Sequence, residues 1–267
     1  MDLQIVLPDE STDMQPETLV ELGVEAERLG FHAVWLPDHL LPPAEYGSTY
    51  GGVYEPFITL AHLAARTSRV RLGTSVVILP LRSPILVAKQ VATLDRLSGG
   101  RVTLGVGTGW DSTEFAAVGV DFGARGRITD EAITLIRHLF DGKGAFDGPF
   151  HAFEGGVFAP RPAGPVPIMV GGLSDRAMRR VAELADEWQG VALTPERFAE
   201  RVATIRSLTD RPVRVGTRIE WKDGLDATAV AAQVREFADA GADAVAVHPG
   251  PYPTAAARMA ALAEATA

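Results

Sequence analysis

No cysteine occurs in the 267 residues, which excludes disulfides and thiolate-bound metals. That composition, with an opening Met1-Asp2-Leu3-Gln4 lacking any basic, signal-like start, leads us to expect a cytoplasmic protein. Long apolar runs are missing as well. Nothing approaches the roughly 18 residues of a membrane span, so no membrane partner is expected. Positive charge is in deficit, with 25 basic against 34 acidic residues and a net charge of −9. The basic residues are scattered, which argues against a nucleic-acid groove. Lysine is limited to Lys89, Lys143 and Lys222. HExxH, a G-x-S-x-G elbow and acidic clusters at metal spacing are also absent, so neither a metal site nor a serine nucleophile is expected.

What the chain does have is a regular alternation. With 46% apolar and 22% charged residues, it carries material for a sizeable core. Residues 71–110, RLGTSVVILPLRSPILVAKQVATLDRLSGGRVTLGVGTGW, read as strand (72–79), helix (85–97) and strand (102–106). Ser98-Gly99-Gly100 stops the helix, and no hairpin turn separates the strands, so the segment forms one βαβ unit. The pattern continues in both directions. Further strands are predicted at 3–7, 33–36, 168–170, 188–192, 213–221 and 244–247. Further helices are predicted at 17–29, 56–67, 125–140, 174–185, 195–207, 226–240 and 252–265. A loop is expected at 110–124 and a small excursion with hairpin character at 141–167. Eight strands alternating with eight helices predict an α/β fold, a closed (β/α)8 barrel spanning residues 1–267 as one domain.

Such barrels gather their chemistry at the C-terminal ends of the strands. There the sequence offers Pro37-Asp38-His39, Gly107-Thr108-Gly109-Trp110, Gly171-Gly172, Glu220-Trp221 and His248-Pro249. His39 is the acid–base candidate, because imidazole titrates near neutrality and the adjoining Asp38 carboxylate can orient it. The plainer reading of Asp38 is a cap on the following turn. His62 and His138 fall in helices and His151 in the excursion, so these three read as structural, while His32 precedes its strand at the rim opposite the chemistry. Gly171-Gly172-Leu173-Ser174 closes a strand and opens a helix, where free N–H groups and the helix dipole suit a phosphate. Ser174 as a simple N-cap is the alternative. Gly105-x-Gly107-x-Gly109 resembles a dinucleotide fingerprint, but Trp110 takes the third-glycine position and no helix opens there. A glycine-lined wall for a flat ligand, closed by Trp110, fits better. Tyr46, Tyr50, Trp110, Trp221 and His248 are candidates for an aromatic substrate pocket, with loop packing the alternative for the two tyrosines. Lys222 lies beyond its strand, which leaves Schiff-base chemistry without a suitable amine. With so few protein nucleophiles, the chemistry is expected to come from a cofactor acting on a small-molecule substrate.

Five segments carry a family resemblance: RLGFHAVWLPDHLLP (28–42), residues 55–110, EFAAVGVDFGARGRITDEAI (114–133), PRP (160–162) and PIMVGGLSDRAMRRVAELADEWQG (167–190). In order and spacing they resemble the luciferase-like monooxygenase superfamily, most closely its coenzyme F420-dependent oxidoreductase branch. The resemblance implies a barrel binding F420, with FMN as the alternative, and a homodimer. It implies His39 beside the reactive ring as proton donor or acceptor, supported by Asp38. Ser75 and Val76 would lie against the ring face, joined in many relatives by a non-prolyl cis peptide. Gly107, Thr108, Gly109 and Trp110 would wall the cofactor, while Gly171, Gly172 and Ser174 would hold its phosphate. Two departures stand out. Ser83 replaces an Asn common in relatives, and the loop at 222–225 is short where luciferase proper has a long mobile lid. A short loop shields a reactive oxygen intermediate poorly, which favours hydride transfer over oxygen insertion. The expected activity is hydride transfer between F420 and a small organic substrate. The alternatives are an FMN-dependent monooxygenase using molecular oxygen and a non-enzymatic flavin- or deazaflavin-binding protein.

Overall fold

Several helices start with a capping side chain followed by proline or an acidic residue, as at Glu55-Pro56, Ser83-Pro84, Ser174-Asp175 and Thr194-Pro195, and strands such as Ala33–Leu36 and Ile168–Gly171 are wholly apolar. The computed structural model describes residues 1–8 and 11–267. In chain order the first elements are β1 (Asp2–Val6), α1 (Pro16–Arg28), β2 (Ala33–Leu36), α2 (Gly47–Tyr50), α3 (Pro56–Arg66), β3 (Arg71–Thr74) and β4 (Val77–Ile78). They are followed by α4 (Pro84–Ser98), β5 (Val102–Gly107), α5 (Ser112–Ala117), α6 (Arg125–Phe140) and the short strands β6 (Phe146–Asp147) and β7 (Ala152–Phe153). The last third holds β8 (Ile168–Gly171), α7 (Asp175–Leu184), β9 (Glu187–Val191), α8 (Pro195–Leu208), β10 (Arg214–Glu220), α9 (Ala227–Asp239), β11 (Ala244–His248) and α10 (Tyr252–Thr266).

The large sheet runs β3-β2-β1-β11-β10-β9-β8-β5-β4, and a further β3–β5 pairing closes it into a ring. Every pairing in that ring is parallel. β3 and β4 both pair with β5, at Leu72↔Val102 and Val77↔Val106, so they are two halves of one stave. The result is the eight-stave (β/α)8 barrel that the alternation predicts. The excursion is a two-stranded antiparallel hairpin, with Phe146 opposite Phe153 and Asp147 opposite Ala152.

Two predicted elements need correction. The single strand at 72–79 is broken at Ser75–Val76, which is a cis peptide, and its last residues leave the sheet as a 3-10 turn, Leu79–Leu81. The loop at 110–124 is not featureless, since it contains α5 and a 3-10 turn at Phe122–Ala124. Ser83 has a local role. Its hydroxyl accepts the Leu86 N–H as N-cap of α4, Pro84 follows at the first helical position, and Gly99 ends the helix at φ 70°.

Most of the core lies between the barrel and the helix ring. A smaller apolar cluster fills the barrel itself: Val6, Ala33, Trp35, Met169 and Ala246, with Val76 packed on it. Trp35 is the plug, and its indole N–H donates to Gln4 Oε1 at 2.8 Å. Gly73 makes room for that ring, because a Cβ there would lie 2.3 Å from it. With the interior filled below, any ligand has to sit at the open, C-terminal rim.

Candidate active site at the barrel rim

His39 leaves the end of β2 on the loop Pro37-Asp38-His39, and its side chain is 8% exposed. Its Nδ1 lies 2.9 Å from Glu114 Oε2, and the other oxygen of Glu114 accepts the N–H groups of Leu40 (2.9 Å) and Leu41 (3.0 Å). Glu114 is itself buried, on α5, whose N-terminus is capped by Asp111 through the N–H groups of Thr113 and Glu114. A carboxylate only accepts hydrogen bonds, so the proton of a neutral His39 sits on Nδ1, leaving Nε2 with its lone pair. Among the described residues no hydrogen bond engages Nε2. The sequence expectation that Asp38 supports His39 is therefore corrected. The supporting carboxylate is Glu114, 75 residues away along the chain.

Asp38 faces the other way. Its carboxylate accepts the Ile78 N–H at 2.9 Å and pairs with Arg82 at 2.6 and 3.1 Å, while Arg82 also reaches Glu55 at 2.8 Å. Burial works against the Arg82 charge, but the two carboxylates outweigh it and hold the guanidinium pKa above its ordinary value. This network fastens the loop after β2 to the turn after β4.

Around His39 stands a small aromatic group. Tyr50 stacks on the imidazole with ring centres 4.4 Å apart, and Trp110 meets it edge-on at 5.9 Å. Tyr46 packs edge-on against Trp110 at 5.1 Å. Thus Tyr46, Tyr50 and Trp110 gather around His39. Trp221 does not join them, and its assignment to the pocket is corrected. It is 4% exposed, sits in the outer core, donates its indole N–H to Leu225 O and lies under Arg258. His248 is half-buried at the rim end of β11, paired in register with Glu220, and its Nδ1 accepts the Gly250 N–H at 3.2 Å.

The glycines have internal reasons. A Cβ on Gly107 would lie 2.5 Å from Val76 Cγ2, and one on Gly171 would lie 3.0 Å from Val76 Cγ1. Val76 is therefore clamped between two strands and presents a fixed apolar surface beside the cis bond. Ser75 is held from across the barrel, its hydroxyl donating to Oε1 of Gln189 on β9 at 2.6 Å. Gly109 has φ 71° and backs onto Ile78 and Phe115, which turns the chain so that Thr108 and the half-exposed Trp110 stay at the rim. Gly172, at φ 123°, leads into α7, where Ser174 caps Ala177 N–H and Asp175 pairs with Arg201 at 3.0 Å.

Three features missed in the sequence are now visible: Glu114, Gln189 and Arg82. Glu114 carries a readable local signal, since Asp111-x-x-Glu114 is a capping pattern directly after a strand. Nothing local marks Gln189.

With this geometry in view, the sequence pattern of luciferase-like monooxygenases matches residues 1–249. The chain belongs to that family. An uncharacterized protein of Mycobacterium tuberculosis is 35% identical over 205 residues, covering 72% of this chain and 71% of that one. An F420-dependent glucose-6-phosphate dehydrogenase of Nakamurella multipartita is 32% identical over 216 residues, covering 79% of this chain and 62% of that enzyme. Among solved structures, an F420-dependent secondary alcohol dehydrogenase in complex with an F420-acetone adduct superposes with a TM-score of 0.86 at 17% identity, over 100% of this chain and 99% of that one. The monooxygenase RslO1 from Streptomyces bottropensis superposes with a TM-score of 0.83 at 20% identity, over 99% of this chain and 98% of that one. Both superpositions speak to the fold. Among the described residues no helix is long and apolar enough to cross a membrane.

Proposed function

We propose that this protein is an F420-dependent oxidoreductase that transfers hydride between the deazaflavin and a small organic substrate. The observation that carries the reading is the His39–Glu114 pair, an oriented imidazole with Nε2 unengaged, standing at the barrel rim beside the Val76 platform. In this reading the rim seats a flat cofactor with a phosphate tail. Val76, clamped by Gly107 and Gly171, offers a flat apolar seat, with Thr108, Gly109 and Trp110 as one wall. Gly172 and Ser174 lead into a ten-residue helix whose first N–H groups suit a phosphate. Two relatives named for F420 are 38% and 32% identical, which favours F420 over FMN.

When bound, the deazaflavin supplies a ring carbon that gives or takes hydride. The chain's own residues do the rest. His39 Nε2 takes a proton from a substrate hydroxyl, or returns it from the imidazolium in the reverse direction. Glu114 fixes the tautomer needed for that step and stabilises the imidazolium once it forms. Tyr50 and Trp110 hold the imidazole plane and keep water from its faces. Tyr46 and His248 line the substrate side of the rim in this reading. In this reading the working form is a homodimer, as the family resemblance implies.

The test is a fluorescence titration of the purified apo-protein with F420 and, separately, with FMN. Saturable F420 binding is expected; tight FMN binding with no response to F420 would move the protein to the flavin-dependent monooxygenases. If F420 binds but a panel of alcohols and ketones gives no turnover, the protein is a deazaflavin-binding protein rather than an enzyme.

A further inference from the structure

Position 218 in β10 is an arginine that the site described above does not use. In β10, alternate residues face the barrel interior. Gly216 is in register with Gln189 and Ala244, and Arg218 is in register with Val191 and Ala246. Ala246 belongs to the apolar cluster inside the barrel, so Arg218 shares its inward face. It lies one inward step above Gly216 and one below Glu220, which pairs in register with the rim residue His248. The guanidinium thus stands in the mouth of the barrel.

Among the described residues it has no ion-pair partner there. No hydrogen bond, ion pair or ring contact engages the Arg218 side chain among the described residues, although Glu220 is only two positions away on the same face. Arg66, Arg176, Arg179, Arg206 and Arg235 also lack such contacts, but all five are exposed. Arg218 alone among these is half-buried. The other arginines of the barrel wall are used internally. Arg71 donates to Val102 O and Thr103 Oγ1, and Arg214 pairs with Asp2. A partly desolvated guanidinium left unpaired in a ligand-accessible mouth is a receiver for an anionic group, because its five donors match an oxyanion in fork geometry.

Its place in the ring says which ligand group it receives. From β10 the sheet order runs through β9, β8 and β5 to the β3/β4 stave one way, and through β11, β1 and β2 the other. Arg218 is therefore directly across the mouth from the Ser75–Val76 bond. It is also on a different strand from the Gly171–Ser174 turn proposed for the cofactor phosphate. A ligand lying on Val76 leaves its far side open toward Arg218, with His39 at the flank.

We propose that Arg218 reads an anionic oxygen group on the substrate, a carboxylate or a phosphate, and so restricts the enzyme to anionic alcohols or carbonyl compounds. This rests on the F420-oxidoreductase reading for the word substrate, but the anion site itself is testable without cofactor. The experiment is isothermal titration of the apo-protein with inorganic phosphate and with benzoate, in wild type, Arg218→Met and Arg218→Lys. Thermal melts confirm that both variants fold. Wild type is expected to bind at least one of the two anions, with Arg218→Met at least tenfold weaker and Arg218→Lys in between, since lysine keeps the charge and loses the fork. Which anion responds more strongly distinguishes a carboxylate from a phosphate substrate. Equal affinity in wild type and Arg218→Met, or binding of neither anion by wild type, overturns the proposal. A parallel F420 titration separates the two readings. If Arg218→Met loses F420 affinity as much as anion affinity, Arg218 serves the cofactor and the substrate assignment is wrong. If F420 does not bind wild type while anion binding still depends on Arg218, the oxidoreductase reading fails and the anion site stands.

Discussion

Glu114 Oε2 lies 2.9 Å from His39 Nδ1, while Glu114 Oε1 holds the N–H groups of Leu40 and Leu41. One buried carboxylate therefore determines both the path of the loop after β2 and the tautomer of its histidine. The acid–base character assigned to His39 depends on a residue in another loop, and this can be tested by changing only the hydrogen-bonding sense of that residue.

Glu114→Gln keeps the shape but offers an NH2 to Nδ1, so the neutral imidazole is forced to carry its proton on Nε2. We expect turnover to fall by about 100-fold, in line with loss of general acid–base assistance. Nitrogen-15 shifts of His39 should report the switched tautomer in the same variant. Unchanged shifts would remove Glu114 from this role.

Asp38→Ala is expected to act on stability. It leaves the mostly buried Arg82 with Glu55 alone and strips the Ile78 N–H of its acceptor. Breaking a buried pair in this way costs about 3–5 kcal/mol, measurable by urea denaturation. The His39 tautomer should not change in the folded fraction.

Gly107→Ala drives a methyl to 2.5 Å from Val76 Cγ2. Overpacking of this kind costs about 1–3 kcal/mol. Combining it with Val76→Ala should restore part of the loss, giving a favourable coupling in a double-mutant cycle. Additive effects would mean that the two groups do not meet.

Glu187 supplies a pH dependence at the opposite end of the barrel. Burial raises its pKa above the ordinary 4.5, and the attraction of Arg214 and Arg71 only partly offsets this. Below that ordinary value both states are protonated and the group contributes nothing. As pH rises between the unfolded and the raised folded pKa, the unfolded chain releases its proton first, so stability declines. Glu187→Gln should therefore melt higher than wild type at pH 7, with the difference vanishing near pH 4. A lower melting temperature for the variant at pH 7 would contradict the burial argument.

The barrel was legible because strand and helix periods survive in the sequence, and because caps and glycines mark where each changes to the other. The rim residues were legible as a set, since strand ends converge once a barrel closes. Their pairings were not. Asp38 is next to His39 in sequence, yet adjacent residues at a strand end point in different directions, and Asp38 turns to Arg82. Trp221 follows Glu220, which pairs with the rim residue His248, and the next residue along takes the outward face and packs under Arg258. The glycines of the 105–109 run looked like space left for a ligand. In the structure Gly107 makes room for Val76 and Gly109 for Ile78 and Phe115. Contacts between residues far apart in sequence decide these points, and a local pattern does not contain them.

The Glu114 bridge also has a mechanical consequence. The loop after β2 carries His39, and the loop after β5 carries Trp110 and α5. Three hydrogen bonds accepted by a single side chain latch the two loops together. Swinging Trp110 outward with α5 pulls on the imidazole, and pushing the imidazole aside pulls on α5. Trp110 and the imidazole are thus parts of one linked assembly, so a displacement of either loop is passed to the other through Glu114.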